Sequence, residues 1–524
     1  MKLFCWVFFY SFFIAFSFGA SLEEDLSALK EASSFAQKEE AIAALSENYA
    51  QDDRFLRILE QMLAGNLYKI DDKLFFLSDS NYLEVIGGDP LTIDENNPPQ
   101  KITINNRLRN VLRSALIAAN LFASDPKTRL HAAKEALNNV EEKDLSLLKN
   151  AYEKESDETI REILAQSLAV LGARRYGAED RLKTIVELGG YMSPKALTTL
   201  KELSAIEDEP YKEAIARSIE KIESKQSFYR ALETLYFGLS AGSILLLAAI
   251  GLAITFGVMK VINMAHGELI MIGAYTTYAL QQWAPNLIEY SVLIAIPSAF
   301  LVSAFVGVLI ERLVLRRLYA RPLEALLATF GISLILQQLA RTCFSAQNRD
   351  VQTPAWMSGS FEINGFLSLT YNRFYILIFA VLVFALVMFL LNKTSIGLKV
   401  RAVTQNRSMA QAMGINTGFI DALTFGIGSG VAGMAGVALS QLTNVGPNLG
   451  QAYIVDSFMV VVFGGVGNLW GAALGALTLG ELNKILEPFA GAMLAKILIL
   501  VFVILFIQKR PRGLFPQKGR DAEE

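Results

Sequence analysis

The 524-residue chain is 52% hydrophobic and 19% charged, which is too apolar for a soluble protein of this length and too charged for a bare membrane bundle. Its net charge of −3 gives no indication of a nucleic-acid partner. The two cysteines, Cys5 and Cys343, stand far apart in the sequence, so no disulfide framework or metal site is implied.

The charged residues are unevenly distributed. Residues 21–230 are rich in Lys, Glu, Asp and Arg. Between residues 231 and 310 the acidic, basic and histidine residues are Glu233, Lys260, His266, Glu268 and Glu289. We therefore predict a polar domain over 21–230, a multi-pass membrane domain over 231–510 and a cytoplasmic tail over 511–524.

Residues 1–20 have the pattern of a signal peptide: one lysine, a phenylalanine-rich core, and small residues at Ser17, Gly19 and Ala20. The core is somewhat long for a cleaved signal, so an uncleaved signal anchor is the alternative. In both cases we expect the domain that follows to be exported.

The exported domain has helical periodicity. Apolar residues recur at helical spacing, behind acidic or proline-containing starts, in 52–65, 124–140, 156–172 and 207–222. This predicts an α-solenoid of the HEAT type, with an ordinary helical bundle as the alternative. Turn formers and β-branched residues predict a small hairpin or an irregular lobe within 74–105. We find no catalytic triad, metal cluster or phosphate loop in the sequence of this domain, so we interpret it as a docking, binding or spacer domain.

Nine segments of the membrane domain are candidate membrane spans. They are 234–258, 262–283, 290–310, 324–343, 374–391, 418–440, 453–468, 471–486 and 490–508. Basic residues in 311–322, 392–407 and the tail place all three segments on the cytoplasmic side. An exported domain followed by nine crossings gives the same orientation, and eight spans plus a re-entrant segment is the alternative. The predicted fold class is all-α.

The stretch "NMAHGELIMIGAY" (263–275) places His266 and Glu268 in the middle of apolar sequence. Residues 269–283 are too few to cross a bilayer, so the helix must begin near Val261 and bring both side chains into the membrane. A carboxylate there costs at least about 2.5–3.5 kcal/mol, so we predict a short or broken helix whose polar residues face a cavity. In the alternative, Glu268 caps a helix at headgroup level.

A second interrupted segment lies in 457–484, where Gly464, Gly465 and Gly467 precede Asn468. Interrupted segments in both halves indicate a transport site at a repeat interface. Gly467, Gly471 and Gly475 recur every fourth residue, which is typical of a close-packing face. For the small residues of 426–436, tight helix packing and pore lining both remain open.

The basic loop 392–416 predicts a short helix over 402–413 that ends at Gly414. Residues 401–436, 251–275 and 460–483 resemble permease subunits of branched-chain amino acid-type ABC importers, and the similarity extends over nearly all of 231–515. The resemblance implies a coupling helix that docks on an ATPase. Its residues are Arg401, Met409, Ala412, Gly414, Ile415 and Asn416.

The stretch 102–137 resembles the extended permeases of the urea branch of this family. The resemblance implies an inner-membrane permease for urea, with branched-chain amino acids or short-chain amides as alternatives. The sequence has no Walker A pattern, so the chain itself is not expected to be an enzyme or to hold a cofactor. ATP and Mg²⁺ would bind two separate ATPase subunits, and the other implied partners are a second permease subunit and a periplasmic solute-binding protein.

A pathway for a small neutral solute needs a polar, mostly uncharged lining and modest affinity. The candidate residues are Asn263, His266, Glu268, Thr329, Ser333, Asp456 and Asn468, with Thr478 and Glu481 beside them. Two other functional classes fit the sequence less well. A membrane sensor would need a cytoplasmic output domain, for which the predicted tail is too short. An enzyme is not expected from two histidines and no paired acid–nucleophile set.

Overall fold

The computed structural model describes residues 22–515 except 33, 50–51, 71–72, 79–80, 86–89, 92–98, 140, 175–179, 207–210, 260 and 320. The predicted signal peptide and residues 516–524 of the predicted tail therefore lie outside the described residues. The chain divides into two compact units, Met1–Lys225 and Gln226–Glu524.

The first unit is built mainly from helices. They are α1 (Leu22–Asp25), α2 (Ser27–Glu31), α3 (Phe35–Tyr49), α4 (Asp53–Ala64), α5 (Asn106–Asn120), α6 (Pro126–Asn138), α7 (Leu145–Lys154), α8 (Glu158–Arg174), α9 (Arg181–Leu188), α10 (Pro194–Ser204) and the start of α11 (Tyr211–Met259). Three of the four predicted helical stretches are confirmed, and the described part of the fourth lies in α11.

Local capping explains where these helices begin and end. The Asp52 side chain accepts a hydrogen bond from the Arg54 amide at the start of α4, and Gly65 ends the helix with φ 73°. Asp125 accepts from the Thr128 amide, and Pro126 occupies the first turn of α6. These are the start and stop signals present in the sequence.

The chain is mostly helical, as predicted, but the all-α prediction missed a five-stranded antiparallel sheet in this unit, of order β4-β3-β2-β1-β5. The strands are β1 (Leu67–Ile70), β2 (Lys73–Ser78), β3 (Asn81–Glu84), β4 (Pro90–Leu91) and β5 (Gln100–Lys101). The sheet is larger than the predicted hairpin because it starts at Leu67, ahead of the turn-rich stretch. Leu67 and Leu74 are buried against the core of α4 and α5, which stabilises the strands. The HEAT type of the helices stays a prediction.

The described residues of the second unit form helices and a β-hairpin. They are the rest of α11, α12 (His266–Trp283), α13 (Ile288–Leu313), α14 (Pro322–Phe344), the hairpin β6 (Ser360–Asn364) and β7 (Leu367–Thr370), α15 (Tyr371–Lys393), α16 (Ser395–Gln405), α17 (Arg407–Ala412), α18 (Thr417–Ser440), α19 (Leu449–Gly464) and α20 (Leu469–Lys509). Within α20, Gly491 has non-helical backbone angles. Each of the nine segments predicted as membrane spans lies wholly or mostly in a helix, and α20 contains two of them.

Six helices of the described chain are long and apolar enough to cross a membrane. The helix α12 falls outside this group, and α19, with 16 residues, is shorter than a full crossing. The membrane domain is thus multi-pass and helical, while the number of complete crossings stays a prediction.

Candidate functional site

The helix α12 begins inside the bundle. The helix α11 ends at Met259, yet the Nε2 atom of His266 donates a hydrogen bond to the Ala248 carbonyl oxygen at 2.9 Å. Ala248 lies 11 residues before the end of α11, which corresponds to about 16 Å of helix. The connecting residues therefore run back along α11, and α12 starts deep between its neighbours.

The connection before α12 is held by polar contacts with α14. The Thr329 Oγ1 accepts a hydrogen bond from the Met264 amide at 3.1 Å and donates to the Ala325 carbonyl at 2.9 Å. The Asn263 Oδ1 accepts from the Ala265 amide at 3.0 Å. These bonds satisfy backbone groups that would otherwise be unpaired outside a helix.

Glu268 bonds to the middle of α14. Its Oε1 accepts hydrogen bonds from the Ser333 hydroxyl at 3.0 Å and from the Gln337 Nε2 at 2.8 Å. Glu268 is 1% exposed and Gln337 is 2% exposed. Because Ser333 is 11 residues into a 23-residue helix, Glu268 lies far from the helix ends, which argues against a headgroup-level cap.

These side chains form one group, which we call the polar seam. Its members are Asn263, Glu268, Thr329, Ser333 and Gln337, at the start of α12 and on the facing side of α14. His266 lies outside it, because its side chain bonds to α11 instead. Within the described chain, two atoms of the seam have no hydrogen-bond partner, Asn263 Nδ2 and Glu268 Oε2. Unpaired buried polar atoms are costly, so the seam keeps donor and acceptor capacity for another group.

The sequence analysis missed Gln337. Thr329, Ser333 and Gln337 are spaced four residues apart, so they share one face of α14. An uncharged polar residue at every fourth position of an apolar helix was the signal that would have identified it.

Glycines bring the backbones of neighbouring helices against α12. A methyl group at Gly273 would lie 2.0 Å from the Gly433 carbonyl oxygen, and one at Gly436 would lie 2.0 Å from that of Ile270. At the start of α12, a methyl group on Gly267 would lie 2.4 Å from the Gly450 carbonyl oxygen. For the small residues of 426–436, the contacts at Gly433 and Gly436 therefore show tight packing.

Four of the predicted pathway residues make their described contacts elsewhere. Asp456 pairs with Lys496 at 3.0 Å between α19 and α20. Asn468 caps α20 by accepting from the Trp470 and Gly471 amides. Thr478 donates to the Leu474 carbonyl within its own helix, and the Glu481 carboxylate lies against Gly238. None of these contacts joins them to the polar seam.

The predicted helix 402–413 is wrong in its middle, because Asn406 breaks it into α16 and α17. The Asn406 side chain accepts from the Met409 amide and starts a new helix. Gly414, with φ 83°, ends α17 as predicted, and Asn416 caps α18 by accepting from the Phe419 amide.

One face of α17 and the residue after it is apolar. Met409 is 60% exposed and Met413 is 77% exposed, and Ala412 beside them is exposed too. Ile415 packs on the small core beneath, and Arg401 donates to the Leu391 carbonyl at the end of α15. A short capped helix thus presents flexible methionine side chains outward, as binding surfaces for protein partners often do.

Comparison with known proteins identifies relatives of the second unit. The family described as "Branched-chain amino acid transport system / permease component" matches residues 234–507. The high-affinity branched-chain amino acid transport system permease protein LivH of Salmonella typhimurium is 30% identical over 300 residues, which are 55% of this chain and 96% of the relative. BraD of Pseudomonas aeruginosa, of the same description, is 30% identical over 298 residues with the same coverage. No solved structure matches the chain.

Proposed function

The chain belongs to the family of branched-chain amino acid transport permeases, and from that premise we propose that it is the subunit through which an ATP-driven importer passes its solute across the inner membrane. The observation that carries the proposal is the family match over 234–507. This range contains the polar seam and residues 401–416, which we call the coupling segment. The relatives are transport subunits, not enzymes.

The coupling segment supports the proposal that separate subunits hydrolyse the ATP that drives transport. Met409, Ala412 and Met413 form an exposed apolar face on a short capped helix, where an ATPase subunit can dock. ATP and Mg²⁺ would be held by two such subunits. A second permease subunit and a solute-binding protein on the other side, facing residues 21–230, would complete the importer.

The polar seam supports a solute route along α12 and α14. Its unpaired atoms include an amide donor at Asn263 and a carboxylate acceptor at Glu268. A solute that carries N–H groups would satisfy the acceptor and be released once the helices shift, which keeps binding weak enough for transport.

Two solutes are candidates. The relatives favour branched-chain amino acids, because proteins named for that transport align over nearly their whole length with this membrane domain. The first unit favours urea, because residues 102–137 resemble the extended permeases of the urea branch. The family match begins only at residue 234, so the relatives leave this second candidate open.

Uptake by the assembled importer would decide between them. The permease, its partner permease, both ATPases and the binding protein would be reconstituted in vesicles with internal ATP, and ¹⁴C-leucine and ¹⁴C-urea supplied separately. ATP-dependent accumulation of leucine establishes the first candidate, and accumulation of urea the second. Failure of both, with ATPase activity intact, would contradict both solute assignments.

A further inference from the structure

A second group of charged side chains lies where α13 ends and α18 begins. We call it the charge cluster; its members are Glu311, Arg316, Tyr319, Arg407 and Asp421. Glu311 lies near the end of α13, and Arg316 and Tyr319 in the connection to α14. Arg407 begins α17, and Asp421 lies in the second turn of α18.

Two buried carboxylates anchor the cluster. The side chains of Glu311 and Asp421 are both 0% exposed. Glu311 Oε1 accepts the Tyr319 hydroxyl at 2.5 Å and lies 3.8 Å from the Arg316 Nε. Asp421 Oδ2 accepts from the Arg407 Nη2. A charge buried this deeply is tolerated only when it is paired, so each carboxylate depends on its partners.

Arg407 joins the two halves of the cluster. Besides its ion pair with Asp421, its guanidinium carbon lies 5.0 Å from the centre of the Tyr319 ring, a cation–π contact. Burial and the hydrogen bond to Glu311 raise the pKa of Tyr319, so the hydroxyl stays protonated and keeps donating. One side chain of the coupling segment is thus tied both to α18 and, through Tyr319, to α13.

Stability alone does not account for the cluster. Glu311 Oε2 and Asp421 Oδ1 have no hydrogen-bond partner among the residues with described coordinates. The Arg316 and Arg407 side chains are 45% and 41% exposed, and ion pairs with a solvent-exposed partner contribute little net stability. Replacing ion pairs by apolar side chains of similar volume is often neutral or stabilising. The Arg407–Asp421 ion pair and the Tyr319–Glu311 hydrogen bond each need a defined geometry, so they are suited to fixing the position of the coupling segment relative to α18 and α13.

The helices next to the cluster are closely packed. A methyl group at Gly307 of α13 would lie 2.1 Å from the Ser429 Oγ of α18, and one at Gly433 would lie 2.4 Å from the Ser303 Oγ of α13. Gly433 and Gly436 of α18 also contact the backbone of α12, which carries Glu268. Close-packed interiors transmit displacement rather than absorb it.

We propose that the charge cluster transmits displacement of the coupling segment to α18 and α13. Arg407, Asp421 and Tyr319 are then positioning residues for coupled transport. The inference rests on the proposed importer function. It adds the side-chain and backbone contacts that would connect the ATPase docking face to the polar seam.

The test measures solute accumulated per ATP hydrolysed in the reconstituted importer. Three variants are compared: Asp421→Asn, Arg407→Gln, and both together, with the exposed neighbour Arg317→Gln as a matched control. The single variants each leave one charge unpaired and are expected to lower the yield of folded protein. The double variant removes both charges, so its yield should recover.

The proposal expects that coupling does not recover with folding. The double variant should still hydrolyse ATP while transporting at least about tenfold less solute per ATP than wild type, and Tyr319→Phe should show a smaller loss. Arg317→Gln should match wild type. A double variant that folds and couples like wild type would overturn the inference and leave the importer function standing. A wild-type complex that hydrolyses ATP without transporting either solute would instead contradict the proposed function.

Discussion

The helices inside the first unit and the helices inside the second unit pack through different kinds of contact. In the first unit, helices meet through large hydrophobic side chains such as Phe55, Ile58 and Leu112, which are fully buried. In the second unit, α12 and α18 meet backbone to backbone, at Gly273 and Gly436. Lipid is as apolar as leucine, so helices in a membrane gain little from burying large side chains and more from close approach. The membrane unit should therefore tolerate far less change at its contacts.

The largest expected effect is at Gly436. A methyl group there would lie 2.0 Å from the Ile270 carbonyl oxygen, whereas one at Gly331 would meet nothing within 4 Å. Gly436→Ala should force α12 and α18 apart and reduce the yield of monodisperse protein several-fold, while Gly331→Ala should leave it unchanged or slightly higher. Size-exclusion chromatography after detergent extraction measures both. Equal yields would show that the membrane contacts are as adaptable as those of the first unit.

The next effect concerns function rather than folding. Glu268→Leu removes the acceptor for Ser333 and Gln337, whereas Glu268→Gln keeps a hydrogen-bonding side chain of the same shape. We expect Leu to abolish solute uptake and Gln to retain part of it, because the seam needs polar atoms at this position.

Glu289→Leu, an exposed position at the start of α13, is the control for the Glu268 variants. Near wild-type uptake by both Glu268 variants, with normal protein yield, would remove the seam from the pathway. A cysteine at position 268, in a chain freed of Cys343, should also become reachable by small thiol reagents during turnover.

Much of this architecture could be predicted from the sequence. The crossing-length argument placed Glu268 inside the bundle because length and charge obey simple limits in a membrane. The helix break at Asn406 could also have been predicted from the sequence, because Asn406 is a typical N-cap and Gly414 a typical helix end on either side of α17. The pairing of Asp456 with Lys496 could not, because it depends on which faces of α19 and α20 meet.

The first unit was harder to predict. The sheet was underestimated because β1 lies outside the turn-rich stretch and pairs with β5 across more than 25 residues. Such pairing depends on tertiary burial of Leu67 and Leu74 rather than on local pattern.

A smaller effect is expected at the coupling segment. Ala412→Asp places a charge on the exposed face beside Met409 and Met413, and Ala412→Ser, which is small and uncharged, is its matched control. Gly414→Val is strained, because φ is 83° there. Both Ala412→Asp and Gly414→Val should insert normally yet lose most solute-dependent stimulation of the ATPase, while Ala412→Ser keeps it. Full stimulation in all three would contradict docking at this face.

The smallest effect is expected in the first unit, where ordinary side-chain contacts can be lost one at a time. Arg129 holds Glu155 through two hydrogen bonds of 2.9 and 3.2 Å, and the Glu155 side chain is 5% exposed. The hydrogen bond from Arg129 lowers the pKa of Glu155 below its usual range. A carboxyl group whose pKa is lowered by folding stabilises the fold at pH values above its unfolded pKa of about 4.3, and this contribution is lost as the pH falls through the folded pKa.

Glu155→Gln should therefore destabilise the domain 21–230, produced alone, by about 1–2 kcal/mol at pH 7, with the difference from wild type shrinking below about pH 4. Glu202→Gln is the control, because Glu202 pairs with Arg174 at the surface and its loss should cost little. Thermal unfolding followed by circular dichroism between pH 3 and pH 7 measures both variants. A difference that stays constant over that range would mean that Glu155 acts through packing rather than through its charge.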